Sequence, residues 1–156
     1  MDLWSWAVAA YGRPGVAEAA LALQDDHGQC VPLLLWAAFA RPLEPGVIAE
    51  AADLARAWEA SAILPLRSAR RGLKTDLPGV EAGAREALRV QVKTAELESE
   101  RLLLVALSAC GGPGGAGLDA ALTAAVAAWG RPADVTALTK LSAALSGSLP
   151  DPGKPG

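Results

Sequence analysis

The chain has 156 residues, a formal net charge of −3 and 52% hydrophobic residues, with Phe, Tyr and Met present once each. That length suits a single compact domain that folds without disulfide or metal, and the abundance of Ala and Leu over β-favouring residues points to an all-α bundle. The acidic balance, with a sequence pI of about 5.1, speaks against a nucleic-acid binder, which carries a basic excess.

The pattern predicts six to seven helices in one domain spanning 1–146, with one long helix near 80–110. Asp2 stands as the N-cap of a first helix ending at Tyr11, with Leu3, Trp4, Ala7, Val8 and Tyr11 as its inner face. Pro14 opens a second helix, which runs to about Asp26 and stops at Gly28. A third, Pro32 to Ala40, is apolar nearly all round and reads as the buried centre of the bundle. The fourth begins near Pro45 and turns Val47, Ile48, Ala51, Leu54, Ala55 and Trp58 inward; Pro65 should kink or divide it before Lys74.

The fifth and longest helix is predicted from Val80 to Cys110. Its apolar stripe of Ala84, Leu88, Gln91, Ala95, Ser99, Leu102, Leu103, Ala106 and Cys110 is expected to face the core, with the charges opposite. Gly111 to Gly117 reads as a flexible loop. Leu118–Trp129 and Asp134–Ser146 form a helical hairpin across Gly130-Arg131-Pro132, and the Gly/Pro-rich end, 147–156, is expected to be disordered.

Cys30 and Cys110 lie in apolar stretches and read as buried, reduced thiols. The start Met1-Asp2-Leu3-Trp4 lacks the basic stretch of a signal peptide. The uncharged run from Cys30 to Ala40 is too short to span a bilayer. A cytoplasmic protein with no membrane association is therefore expected.

The ordered string Leu3-Trp4, Ala7, Tyr11, Arg13-Pro14-Gly15-Val16, Leu21, Leu23-Gln24-Asp25, His27-Gly28, Val31 and Leu33-Leu34-Leu35 resembles the opening of a small proteobacterial family known only as a domain of unknown function. The resemblance continues through Trp58, Pro65-Leu66-Arg67, Arg70-Arg71 and Leu73-Lys74, then Val92-Lys93, Glu96-Leu97-Glu98 and Glu100-Arg101, covering about 3–107. It implies a bacterial, cytoplasmic, helical protein and brings no activity with it. The C-terminal hairpin lies outside it.

Three charged groups are candidate sites. Gln24-Asp25-Asp26-His27 joins carboxylates to the single His, the residue types of proton transfer or metal binding. Neighbours on a helix point about 100° apart, so these do not converge on one ion unaided, and His27 has a structural role available at the negative end of the helix dipole. Arg67, Arg70, Arg71 and Lys74 share one broad helix face. Their guanidinium forks suit carboxylate or phosphate, or could pair with Asp25, Asp26 or the Glu96, Glu98, Glu100 series inside the bundle. Arg85, Arg89 and Lys93 form a third stripe beside Glu81, Glu86, Glu96 and Glu100, where local pairing on a solvated face competes with a partner surface. Trp6 falls off the inner stripe of its helix and is expected to be exposed, as an interface anchor would be.

No catalytic residue, metal ligand set or cofactor is assigned. The leading reading is a non-enzymatic adaptor or regulatory module that docks a protein partner through Arg67, Arg70, Arg71 and Lys74. The alternative is a binding protein or enzyme for an anionic metabolite. In that version Arg13, Gln24, Asp25 and His27 line one side of a pocket, and Arg67 and Arg70 the other.

Overall fold

Asp2 caps the first helix as predicted: its carboxylate accepts the Ser5 N–H at 2.9 Å and the Ser5 hydroxyl at 2.8 Å. From there the computed structural model, which describes residues 1–111 and 114–146, is helical throughout. In chain order the elements are α1 (Leu3–Tyr11), α2 (Val16–His27), α3 (Val31–Ala40), α4 (Pro45–Trp58), α5 (Leu64–Gly72), α6 (Ala82–Leu107), α7 (Leu118–Trp129) and α8 (Val135–Ser146). A π-helical turn, Glu59–Ile63, joins α4 to α5. Counting that pair as one rod gives seven helices among the described residues. The tail expected to be disordered, 147–156, lies outside the described residues, as do 112–113 of the predicted loop.

The third helix is the hub. Only Phe39 of its ten residues is not buried, and it touches α1, α2, α4, α6 and α7. The C-terminal hairpin is built into this core: α7 packs on α3 and α4, and α8 packs on α2. Polar ties hold it there. Trp129 donates its indole N–H to the Gly28 carbonyl at 2.8 Å, Gln29 donates to the Arg131 carbonyl at 2.8 Å, and Arg13 donates to the Leu145 carbonyl at 2.9 Å. The stretch after α6 is pinned at 114–116, where Gly114 N–H meets the Ala40 carbonyl and Ala116 N–H meets the Arg41 carbonyl.

Several sequence expectations are corrected. Helix α2 starts at Val16, because Gly15 takes a left-handed conformation (φ 82°) as its N-cap and Pro14 stays in the preceding turn. Trp6 is buried (6% exposed), its ring packed 5.5 Å from that of Phe39, so it is no exposed anchor. The buried face of α1 is Leu3, Trp6, Ala7 and Ala10, while Val8 is exposed and Trp4 and Tyr11 are half-buried. On α6 the buried residues are Glu96, Ser99, Leu103, Leu104 and Leu107. Ser99, Leu103 and Cys110 of the predicted stripe are buried, but Leu102 and Ala106 are exposed because the buried face of the second half is turned by about the angular step of one residue, and Ala84, Leu88, Gln91 and Ala95 because no residue from 82 to 95 is buried. In that second half Glu96, bonded to Arg67 and Arg70 of α5, takes a buried place.

The rod is divided just ahead of Pro65, where the π turn separates α4 from α5. An α-helix would press its ring against the carbonyl four residues back. The chain widens instead into the π turn, where the Leu64 N–H bonds to the Glu59 carbonyl.

Candidate functional site

The half-buried face of α1 forms one wall of a cleft of about 600 Å³. Trp4, Ala7, Val8 and Tyr11 recur there at helical spacing. Leu21 and Gln24 of α2 and Val31, Pro32 and Leu35 from the first turns of α3 complete that side. The opposite side comes from Arg67 and Arg70 of α5 and from Lys93, Glu96, Leu97, Glu100 and Leu104 of α6. A mostly apolar hollow with a few convergent polar groups is the usual form of a small-molecule site.

The polar end is a network linking the two helices. Arg67 donates from Nε to Glu96 Oε1 at 2.9 Å and from Nη2 to Glu100 Oε1 at 3.1 Å. Arg70 forks onto the same Glu96 carboxylate, through Nε to Oε2 and through Nη2 to Oε1. The spacing that permits this is i, i+3 on α5 facing i, i+4 on α6, each pair presenting one helix side to the other.

Burial and bonding set the electrostatics. Burial pushes the Glu100 carboxyl above its ordinary range despite Arg67 beside it. At Glu96 burial acts in the same direction, but the bonds from Arg70 and Arg67 outweigh it and hold the carboxyl below its ordinary range. The Tyr11 hydroxyl is pushed up by burial, and further by the charge of Glu100. Glu59, in the π turn, is also raised by burial. The Cys30 and Cys110 thiols are buried and free, and burial raises both, which suppresses thiolate chemistry.

The predicted site residues are distributed as follows. Gln24, Arg67, Arg70 and Lys93 meet in the cleft. Arg71 lies outside it and pairs with Asp25 at 3.0 Å, both largely exposed. Lys74 follows the end of α5, with no ion pair among the described residues. Arg13 holds α8 through the Leu145 carbonyl, and His27 ends α2 outside the cleft. Arg85 pairs with Asp76 and Arg89 with Glu86, so neither is a free docking charge. Asp25, His27 and Arg67 therefore do not converge on one cavity.

The sequence does not mark Trp4, Val8 and Tyr11 as cleft residues, because their spacing is that of a core face. Glu96 and Glu100 stand in it only as candidate salt-bridge partners. The complementary i, i+3 and i, i+4 pairs on two successive helices were the available signal.

No group of three or more His, Cys, Asp or Glu among the described residues is placed to hold a metal ion. No helix among them is long and apolar enough to cross a membrane. No similar curated protein is found, nor any similar solved structure. A family model described as a protein of unknown function (DUF2390) matches residues 2–107, which takes in every residue of the cleft, and the chain belongs to that family.

Proposed function

We propose that the chain is a binding protein for a small anionic organic molecule, held in the cleft between α1–α3 and the α5–α6 pair. The observation that carries this reading is the gathering of Arg67, Arg70 and Lys93 at one end of an otherwise apolar hollow of about 600 Å³. Three cations there face two carboxylates, Glu96 and Glu100, leaving one net positive charge.

An adaptor docking through Arg67, Arg70, Arg71 and Lys74 is less well supported. Arg67 and Arg70 lie inside the cleft, with side chains only 8% and 21% exposed, which leaves a protein surface little to touch, and Arg71 is paired with Asp25. A partner would have to break the Arg71 pair or rely on Lys74. The bacterial, cytoplasmic setting implied by the resemblance belongs to this proposal, and the two free thiols suit a reducing compartment.

The test is a thermal-shift screen of organic anions against the wild type and Leu97→Trp, which fills the cleft from its exposed rim. Anions that raise the Tm of the wild type and not of the variant support the reading. Equal shifts in both, or none in either at millimolar concentrations, overturn it.

A further inference from the structure

Several features of the molecule lead no further than the fold. The exposed stripe on α6 has nothing that says what covers it, Cys30 is sealed in the core, and the unpartnered Gln29 Oε1 belongs to the tie with Arg131. The cleft does lead further, because its unused hydrogen-bonding groups and its wall chemistry are both specific.

Resting on the reading of the cleft as an anion site, we infer that its ligand is an amphiphilic monocarboxylate. The apolar body lies between α1 and α6, and the carboxylate sits at Lys93 and the free guanidinium ends of Arg67 and Arg70. The donor balance is the first support. Glu96 accepts from Arg67 Nε and from both Nε and Nη2 of Arg70, and Glu100 Oε1 accepts from Arg67 Nη2. Arg67 Nη1, Arg70 Nη1, the Lys93 ammonium and the Tyr11 hydroxyl then have no protein acceptor among the described residues. Donors are left in excess, which a carboxylate with two oxygens and several lone pairs satisfies.

The second support is preorganisation. Arg67 is 6% exposed and is held at two points by α6, so little side-chain freedom remains to be lost when a ligand arrives. Removal from water also strengthens its attraction for a charge placed beside it. The single net charge of the lining favours a monoanion; a phosphate or dicarboxylate would set its second charge against Glu96 and Glu100. A cation would meet Lys93 and Arg70.

The walls supply the third. Val8, Leu21 and Leu97 are each about half exposed (53%, 47% and 53%), and all three line the hollow with Trp4. Large apolar side chains grouped this way gain by being covered. An apolar body does so, whereas a compact polar anion would leave them in water.

Titration calorimetry of the full chain with decanoate, decanol and decyltrimethylammonium, each below its aggregation concentration, tests the inference. Decanoate is expected to bind at least tenfold more tightly than decanol. Lys93→Gln should close most of that gap while leaving the circular dichroism spectrum intact, since Lys93 is exposed. Leu97→Trp should abolish decanoate binding. Equal affinity for decanoate and decanol, preference for the ammonium compound, or decanoate binding that survives Leu97→Trp overturns the ligand class. Failure of all three probes beside polar anions that still shift the Tm overturns the amphiphile and leaves the anion site standing; failure of both sets removes the site.

Discussion

Arg67 reaches Glu96 across two helices at 2.9 Å in a place where both side chains are less than a tenth exposed (8% and 7%). Removing one partner of such a pair leaves the other charged and dry, at a cost of about 3–5 kcal/mol. Glu96→Gln is expected to lose about 3 kcal/mol in urea unfolding, the lower end of that range, because Arg70 loses its carboxylate while Arg67 keeps Glu100. A loss below about 1 kcal/mol, the range of solvated pairs, would show that the network is not held out of water.

The carboxyls around this pair give stability an unusual pH profile. Burial raises Glu100 and Glu59, so each binds a proton more readily folded than unfolded. Acidification from neutrality toward the unfolded value near 4.5 therefore favours the native state at these two positions. Glu96 has the opposite sign. Its lowered folded value stabilises fully above about 4.5, and that contribution is lost as pH falls through the folded value. Tm is expected to rise from pH 7 to a maximum on the acid side, then fall below about 4.5. Glu100→Gln and Glu59→Gln should each flatten the rising limb, and Glu96→Gln the falling one. A wild-type Tm that only falls from pH 7 downward would contradict the assignment.

Two glycines should respond to Ala in opposite directions. A Cβ at Gly114 would lie 2.2 Å from the Arg41 carbonyl oxygen, which is backbone and part of the pinned crossover. Gly114→Ala must move that backbone and is expected to cost about 1–3 kcal/mol, as overpacking does. Gly46, in the first turn of α4, has nothing within 4 Å of its virtual Cβ. Gly46→Ala should stabilise by about 0.4–1 kcal/mol through the unfolded chain. Chemical denaturation of both variants reads the two signs.

The two halves of α6 should exchange their amide protons at different rates. No residue from 82 to 95 is buried, whereas 96–107 holds Glu96, Ser99, Leu103, Leu104 and Leu107. Local opening is easiest where few side chains anchor the helix. Hydrogen exchange is expected to show at least tenfold lower protection before Glu96 than after Ser99. Uniform protection along the helix would mean that something covers the first half.

The helix order, the caps at Asp2 and Gly28 and the central place of α3 were legible because Gly, Pro and near-continuous apolar runs carry that information locally. The registers of α1 and α6 were not. Periodicity ranks Leu88 above Glu96 for burial, yet Glu96 is buried because Arg67 and Arg70 compensate it from a helix whose position no local pattern reveals. In α1 the Trp4, Ala7, Val8, Tyr11 stripe and the Leu3, Trp6, Ala7, Ala10 stripe are both apolar, so spacing alone does not rank them. One became core and the other a cleft wall. The site residues Gln24, Arg67, Arg70 and Lys93 were picked out for their charge or polarity, whereas Glu100 and Tyr11 become site residues only once α1 and α6 lie side by side.

The π turn between α4 and α5 has a consequence for phase. Such a turn accommodates about one residue more than an α-helical one, and each residue along a helix advances the side-chain direction by about 100°. Deleting the exposed Ala60, and so restoring α-helical winding, would leave α4 seated and swing everything after Ile63 by roughly that angle. Arg67 and Arg70 would then point away from Glu96. Which charges the cleft offers a ligand is thus decided by the residue count of a five-residue segment that does not touch the cleft.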